Sequence, residues 1–343
     1  MSHSSEERLR WVDCCRGICI ILVVYGHVTG GLVASGMVHG GSAFDDFRTW
    51  VYLFHMPTFF FLSGLFASRA LGRPLGAVLQ TRIRTLVYPY FLWTGIYLLV
   101  QVVMSRYVNN PPDAGRALHF LWEPYGYGLW FLYSLFLISL LFHLLMLSRM
   151  PKEAVLVVAV VLHLAAGFNV FGFWPILNTA LLNFVFYAVG GLYPETTFAW
   201  LSGGKPRYSV LAGIFLLGLM TAVALAFGRS KLPIGLMAAL LGVAGVVCVA
   251  KGLADSIWGK FLSMLGFYSL EIYLGHPLFS TASRAVLSRC GIHGPAPYVI
   301  SGLLIGLFAS LALAVLCRKF KFPFLFRWPA PKRPATGVEL TSA

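Results

Sequence analysis

Arg16 and His27 stand eleven residues apart at the start of the first long apolar stretch. On an α-helix eleven steps of 100° return to within about 20° of the starting direction, and the rise is about 16 Å. Both side chains therefore face one passage, Arg16 at the membrane rim and His27 near the bilayer centre. A guanidinium at the rim suits phosphate groups, and a neutral imidazole inside suits proton transfer. Asp13, three residues before Arg16, is spaced to pair with it. Each residue also has a plainer reading, Arg16 as a boundary marker and His27 as a hydrogen-bonding partner of a neighbouring helix. Two further regions place ionisable groups at membrane depth: His55 in Phe54-His55-Met56-Pro57, and the Glu271/His276 region. Such groups are costly in a bilayer and are functional candidates for that reason. Arg69, Arg73, Arg82 and Arg84 follow the second apolar stretch. Topology needs only two such residues, so the cluster is expected to neutralise phosphates as well.

These residues need elements to hold them, and the composition names lipid as the solvent. Of 343 residues, 58% are hydrophobic and 11% charged, too little charge to wet a soluble surface. The net charge of +14 sits in short clusters between apolar runs, which excludes a nucleic-acid stripe. Six cysteines show neither paired spacing nor accompanying histidines, so neither a disulfide framework nor a metal site is expected. The first apolar run is read as a retained anchor. The fold expected is all-α, with ten transmembrane helices near 17–38, 50–68, 86–104, 127–147, 153–170, 177–193, 208–227, 232–250, 258–280 and 296–317. Pro57 is expected to kink the second of these, and the ninth is expected to hold Glu271 at the depth of His27, with His276 nearer the outer face. Breaks in 109–112, 203–206 and 294–297 are rich in Gly, Pro and Asn. A cytoplasmic N-terminus puts nineteen of the 26 Lys and Arg inside and seven outside. Both termini are then cytoplasmic. Residues 1–328 form one membrane domain and 329–343 a polar, Pro-rich tail expected to be disordered.

The motif Asp13-Cys14-Cys15-Arg16-Gly17-Ile18 with His27, followed by Phe54-His55-Met56-Pro57, Phe59-Phe60 and Ser63-Gly64, resembles the acyltransferase-3 family of membrane acyltransferases. Further matching stretches are Arg82-Ile83-Arg84-Thr85-Leu86-Val87-Tyr88-Pro89, Leu129 to Tyr133, and Ser269 to Pro277. The resemblance is nearest the branch related to fucose O-acetylases. It implies an O-acyltransferase of the bacterial inner membrane that moves an acyl group, with acetyl the expected one, from cytoplasmic acyl-CoA. The acceptor implied is a hydroxyl of a carbohydrate or lipid-linked sugar, as in polysaccharide O-acetylation. The family's essential arginine and histidine correspond to Arg16 and His27. His27 is the expected general base, with Arg16 and Glu271 as its catalytic companions. Arg16, Arg69, Arg82 and Arg84 are expected to hold the CoA phosphates, and no metal is implied. His55, His276, Trp130 and Tyr133 are expected to contact the acceptor. Aromatics near the outer end of the fourth helix (Trp122, Tyr125, Tyr127, Trp130) suit sugar stacking, and an interfacial belt has the same composition. Many members carry a periplasmic esterase-like domain after the membrane part; none is expected here, so handover of the acceptor is expected to fall to the membrane region or a partner. Membrane lipids surround the chain, and a homodimer is compatible with this reading.

A multi-pass transporter of a small solute or polysaccharide unit is the alternative from another class. It would account for intramembrane ionisable groups, but the paired broken helices in corresponding halves that such transporters often show are not evident.

Overall fold

A computed structural model describes residues 3–103, 121, 128–202, 205–227 and 232–329, with side chains of the first helix from Arg10 onward. The loop 109–112, the aromatics Trp122, Tyr125 and Tyr127, and tail residues 330–343 lie outside the described residues. In hydrocarbon each backbone N–H and C=O must be satisfied within its own segment, so apolar runs fold as helices. Fourteen α-helices result among the described residues, without a strand: α1 His3–Ala34, α2 Ala43–Val51, α3 His55–Gly64, α4 Leu75–Arg82, α5 Tyr88–Val103, α6 Trp130–Leu147 and α7 Lys152–Gly167, then α8 Pro175–Leu192, α9 Pro194–Ser202, α10 Pro206–Phe227, α11 Ile234–Leu253, α12 Ile257–Phe267, α13 Ser269–Arg289 and α14 Pro295–Lys319. Seven helical stretches are long and apolar enough to cross a membrane: Arg10–Ala34, Leu75–Val103, Trp130–Leu147, Pro175–Leu192, Pro206–Phe227, Ile234–Leu253 and Pro295–Lys319. The second of these runs through α4, a π turn at Ile83–Val87 and α5.

Two stretches expected as single spans are broken. Residues 50–68 divide between the end of α2 and the ten-residue α3, with a turn at 52–54. The break is satisfied locally, because His55 Nδ1 lies 2.8 Å from the Val51 carbonyl and Thr58 Oγ1 donates to that of Phe54 at 2.7 Å. Pro57 is the third residue of α3, where its missing N–H costs no helical bond, so it does not kink a span. Residues 258–280 likewise divide at Tyr268 into α12 and α13. That second break moves Glu271 from mid-helix to the first turn of α13.

α1 is the hub of the bundle, packing on α2, α3, α11, α12, α13 and α14. Small residues let it do so. A Cβ at Gly17 would lie 1.9 Å from the Leu262 carbonyl oxygen, and one at Gly266 would lie 1.8 Å from that of Asp13. α1 and α12 thus touch backbone to backbone, as small-residue crossings in membranes do. The α3–α8 crossing is built alike on Gly64 and Gly190. A Gly266→Val substitution is expected to push α12 off the Arg16 turn and destabilise the fold by about 1–3 kcal/mol or more. Thermal unfolding followed by tryptophan fluorescence in detergent checks this, with a lower midpoint expected.

Candidate active site

The turn of α1 that begins at Arg16 opens onto a cavity of about 270 Å³. Arg16 and Ser63 supply polar side chains, while Met56, Phe59, Leu86, Leu132 and Leu135 supply an apolar wall. Arg16 Nη1 lies 3.3 Å from Asp13 Oδ1, the pairing that their spacing implies. Its guanidinium also lies 5.7 Å from the ring centroid of Phe66, and that of Arg69 lies 4.6 Å from the same ring. Arg16 and Arg69 therefore converge on one aromatic. Arg82 closes α4 and Arg84 sits in the π turn behind it, both half-buried. Ligand sites for whole drug-sized molecules occupy roughly 300–1,000 Å³, so this cavity is of a size to take part of a larger ligand.

Val23, seven residues after Arg16 and on the same face, lines the cavity, and His27 stands one turn beyond it. His27 itself is not part of the lining, but Tyr273 and Phe131 are, and they connect the cavity to it. The closure is specific. Tyr273 Oη donates to the Gly128 carbonyl at 2.8 Å and accepts from the Phe131 N–H at 3.3 Å, tying α13 to the start of α6. Gly128 lies against His27: a Cβ there would come 2.9 Å from His27 Cε1. Its φ of +70° is one that side chains other than glycine rarely adopt. Tyr273→Phe leaves the Gly128 carbonyl and the Phe131 N–H without this partner. It is expected to lower stability by about 1–3 kcal/mol, read as a lower thermal midpoint at unchanged expression.

His27 is half-buried and its ring meets that of His276 edge-on, centroids 4.9 Å apart. His276 is fully buried; its Nδ1 lies 3.0 Å from the Ile272 carbonyl, and its Nε2 has no hydrogen-bond partner among the described residues. With Nδ1 as the donor, the neutral ring presents a lone pair at Nε2. His55, also buried, uses Nδ1 at the Val51 carbonyl and stacks edge-on with Tyr52 at 4.8 Å. Tyr52 in turn covers Gly26, the neighbour of His27. Three histidines from three helices thus gather around the His27 turn of α1.

Glu271 does not join them. Five residues separate it from His276, which turns it about 140° away and sets it about 7.5 Å back along α13. Its carboxylate instead meets Arg318 Nη2 at 2.8 Å. The expectation that Glu271 shares the depth of His27 and His276 the outer half is thereby corrected: His276 holds the place beside His27, because α13 starts afresh after Tyr268. Tyr133 is half-buried against Tyr90 with ring centroids 5.4 Å apart, and Trp130 lies 6.2 Å from Phe60. Both therefore pack among aromatics on the α6 side of the cavity. Sequence reasoning missed Gly128 and the anchoring role of Tyr273, and a glycine directly before the Leu129-Trp130 motif was the available signal.

A bundle of apolar helices, seven stretches of it long and apolar enough to cross a membrane, with an arginine-edged apolar cavity and a cluster of histidines nearby, defines a multi-pass membrane protein. The family model described as an acyltransferase domain matches residues 9–316, and the chain belongs to that family, acyltransferase-3. The matched region contains Arg16, His27, His55, Glu271 and His276. Neither the curated proteins nor the solved structures yield a match. Membership favours acyl transfer over the transporter alternative.

Proposed function

We propose that the protein transfers an acyl group, acetyl first among them, from cytoplasmic acyl-CoA to a hydroxyl of a carbohydrate or lipid-linked acceptor presented from the outer side of a bacterial inner membrane. The observation that carries this reading is the face of α1 on which Arg16 and Val23 line the cavity, with Tyr273 of the same lining bonded to Gly128, the residue that lies against His27 one turn beyond Val23. The orientation rests on the nineteen-to-seven distribution of Lys and Arg. It takes the chain to cross ten times with both termini cytoplasmic, the α2/α3 and α12/α13 pairs counting as one crossing each.

In this mechanism Arg16, with Arg69 close by, guides the donor at the mouth of the cavity, its phosphates lying outward of them, and the thioester arm enters the apolar cavity toward Tyr273. The acceptor hydroxyl reaches His27 past Tyr52 and His55. His27 removes the hydroxyl proton as the oxygen attacks the thioester carbonyl; the tetrahedral centre collapses, the C–S bond breaks, and the thiolate takes back a proton. His276, whose Nε2 presents a lone pair, orients the His27 ring and supports its protonated form. Arg318 pairs with Glu271 and holds its carboxylate away from the proton transfer.

The test uses the purified protein in nanodiscs with radiolabelled acetyl-CoA and hydroxyl-bearing glycan or lipid-linked sugar acceptors. Label is expected in the acceptor, and acetyl-CoA is expected to raise the unfolding midpoint, since a ligand at 100 times its Kd stabilises by about 2.7 kcal/mol. Absence of both effects would overturn the reading, because a transporter of sugars has no reason to respond to acyl-CoA.

A further inference from the structure

Beyond the last transmembrane helix the chain turns back as a strap, Phe320 to Pro329, laid across the π turn and α5. It is well anchored. Tyr88 Oη donates to the Phe324 carbonyl at 2.8 Å, Trp93 Nε1 to that of Leu325 at 2.7 Å, and the Trp328 N–H to that of Arg84 at 3.1 Å. Phe326 is buried and stacks on Trp93 at 5.8 Å. The strap divides the surface into two clefts, of about 490 and about 400 Å³, which meet at Thr85, Pro323 and Arg327. The larger cleft adjoins the Arg16 cavity across Phe267 and Leu270, which line both.

The lining of these clefts is basic. Arg318, Lys321 and Arg327 line the larger cleft, and Arg84 with Arg327 lines the smaller. Glu271 is the one carboxylate among their lining residues, and it is already paired with Arg318. The Arg318 guanidinium is fixed further by lying 4.4 Å and 4.3 Å from the ring centroids of Phe267 and Tyr268. A rigid fork and two freer cations around a hollow of nucleotide size suit phosphate groups. The cavity beside Arg16, at about 270 Å³, is smaller than either cleft, so the nucleotide end of a donor whose acyl arm enters it finds its room outside, where these clefts open.

We infer that Arg318, Lys321 and Arg327, together with Arg84, bind the phosphates of a nucleoside bisphosphate, the nucleotide end of the acyl donor. The inference rests on the acyl-CoA reading above. A phosphate could also come from an anionic lipid headgroup of the same leaflet, so the test separates the two sources.

The variant is Lys321→Asn with Arg327→Gln. Both positions are exposed, and asparagine tolerates the positive φ of 53° at Lys321. Arg318 is left in place because it holds Glu271. Thermal shift and equilibrium binding in nanodiscs compare acetyl-CoA, adenosine 3′,5′-bisphosphate and S-acetylpantetheine, which lacks the nucleotide. The variant is expected to bind acetyl-CoA roughly 10- to 100-fold more weakly and to lose most response to the bisphosphate. Its response to S-acetylpantetheine and its midpoint without ligand should stay unchanged. An unchanged acetyl-CoA Kd in the variant overturns the site while leaving the donor reading intact; wild-type protein indifferent to acetyl-CoA overturns the donor reading itself. If the variant differs only in the stabilisation gained when phosphatidylglycerol replaces phosphatidylcholine in the disc, the strap is a lipid headgroup site and the inference is wrong.

Discussion

His27→Ala is expected to reduce acyl transfer by about 10²–10⁴-fold, the usual contribution of a positioned general base, while acetyl-CoA still raises the unfolding midpoint as it does for the wild type. The two halves of this result separate binding from chemistry. The donor contacts proposed here lie at and outside the Arg16 end of the shaft, about 16 Å below His27 along α1, so removing the imidazole should spare them. Arg16→Ala should do the reverse, weakening donor binding and raising the KM for acetyl-CoA, with a smaller effect on turnover once the donor is saturating. The comparison is made by steady-state kinetics on labelled acetyl-CoA with thermal shift on the same preparations. Near-normal transfer by His27→Ala would remove the base assignment. A His27 variant that also fails to bind donor would show that the imidazole shapes the shaft itself. His276→Gln tests the companion role, since glutamine retains a donor and an acceptor but not the ring. Turnover should fall less than for His27→Ala, with the acetyl-CoA response preserved.

What could be read from the sequence, and what could not, follows from the range of the interactions involved. Helices in lipid are dictated locally, because each apolar run must satisfy its own backbone. All ten stretches marked in the sequence are accordingly helical for most of their length. The pairing of Asp13 with Arg16 is also local, one helix and one turn, and appears as spacing alone implies; Arg16 and Val23 share the cavity face of α1, while His27 is outside its lining. The breaks at 52–54 and at Tyr268 were not legible, because apolar composition runs straight through them. They are stabilised by particular partners, such as His55 at the Val51 carbonyl, that composition does not encode. From the second break came the misplacement of Glu271, since depth counted along an unbroken helix is wrong by however far the helix has restarted. His276, Tyr273 and Gly128 belong to a third kind. Their roles depend on which helix lies against α1, and such long-range packing leaves no periodic trace. The strap cations Arg318, Lys321 and Arg327 were visible only as topology markers, a role in which any basic residue at the inner face looks the same.

Gly128→Ala is expected to cost nearly as much activity as loss of His27, although the added methyl carries no chemistry. Two effects act together. At φ +70° a Cβ is strained against the backbone, and the methyl would stand 2.9 Å from Cε1 and 3.4 Å from Nδ1 of His27. The first distance is closer than carbon atoms approach without displacement, so either the imidazole rotates or the loop lifts. The loop cannot lift freely, because Tyr273 grips the Gly128 carbonyl and the Phe131 N–H from a buried position. The imidazole is also held against the His276 ring, centroids 4.9 Å apart. Displacement of the base by about an ångström costs on the order of 10²-fold in rate when reacting atoms must meet in line. The double variant Gly128→Ala with Tyr273→Phe releases the grip, letting the loop move instead of the ring. It is expected to recover part of the activity that Gly128→Ala alone loses while being less stable than either parent. Such a rescue marks the two residues as coupled through His27 rather than independently structural. If Gly128→Ala transfers acyl groups at the wild-type rate, or if the losses of the two single variants simply multiply in the double, the packing of this loop does not set the position of the base.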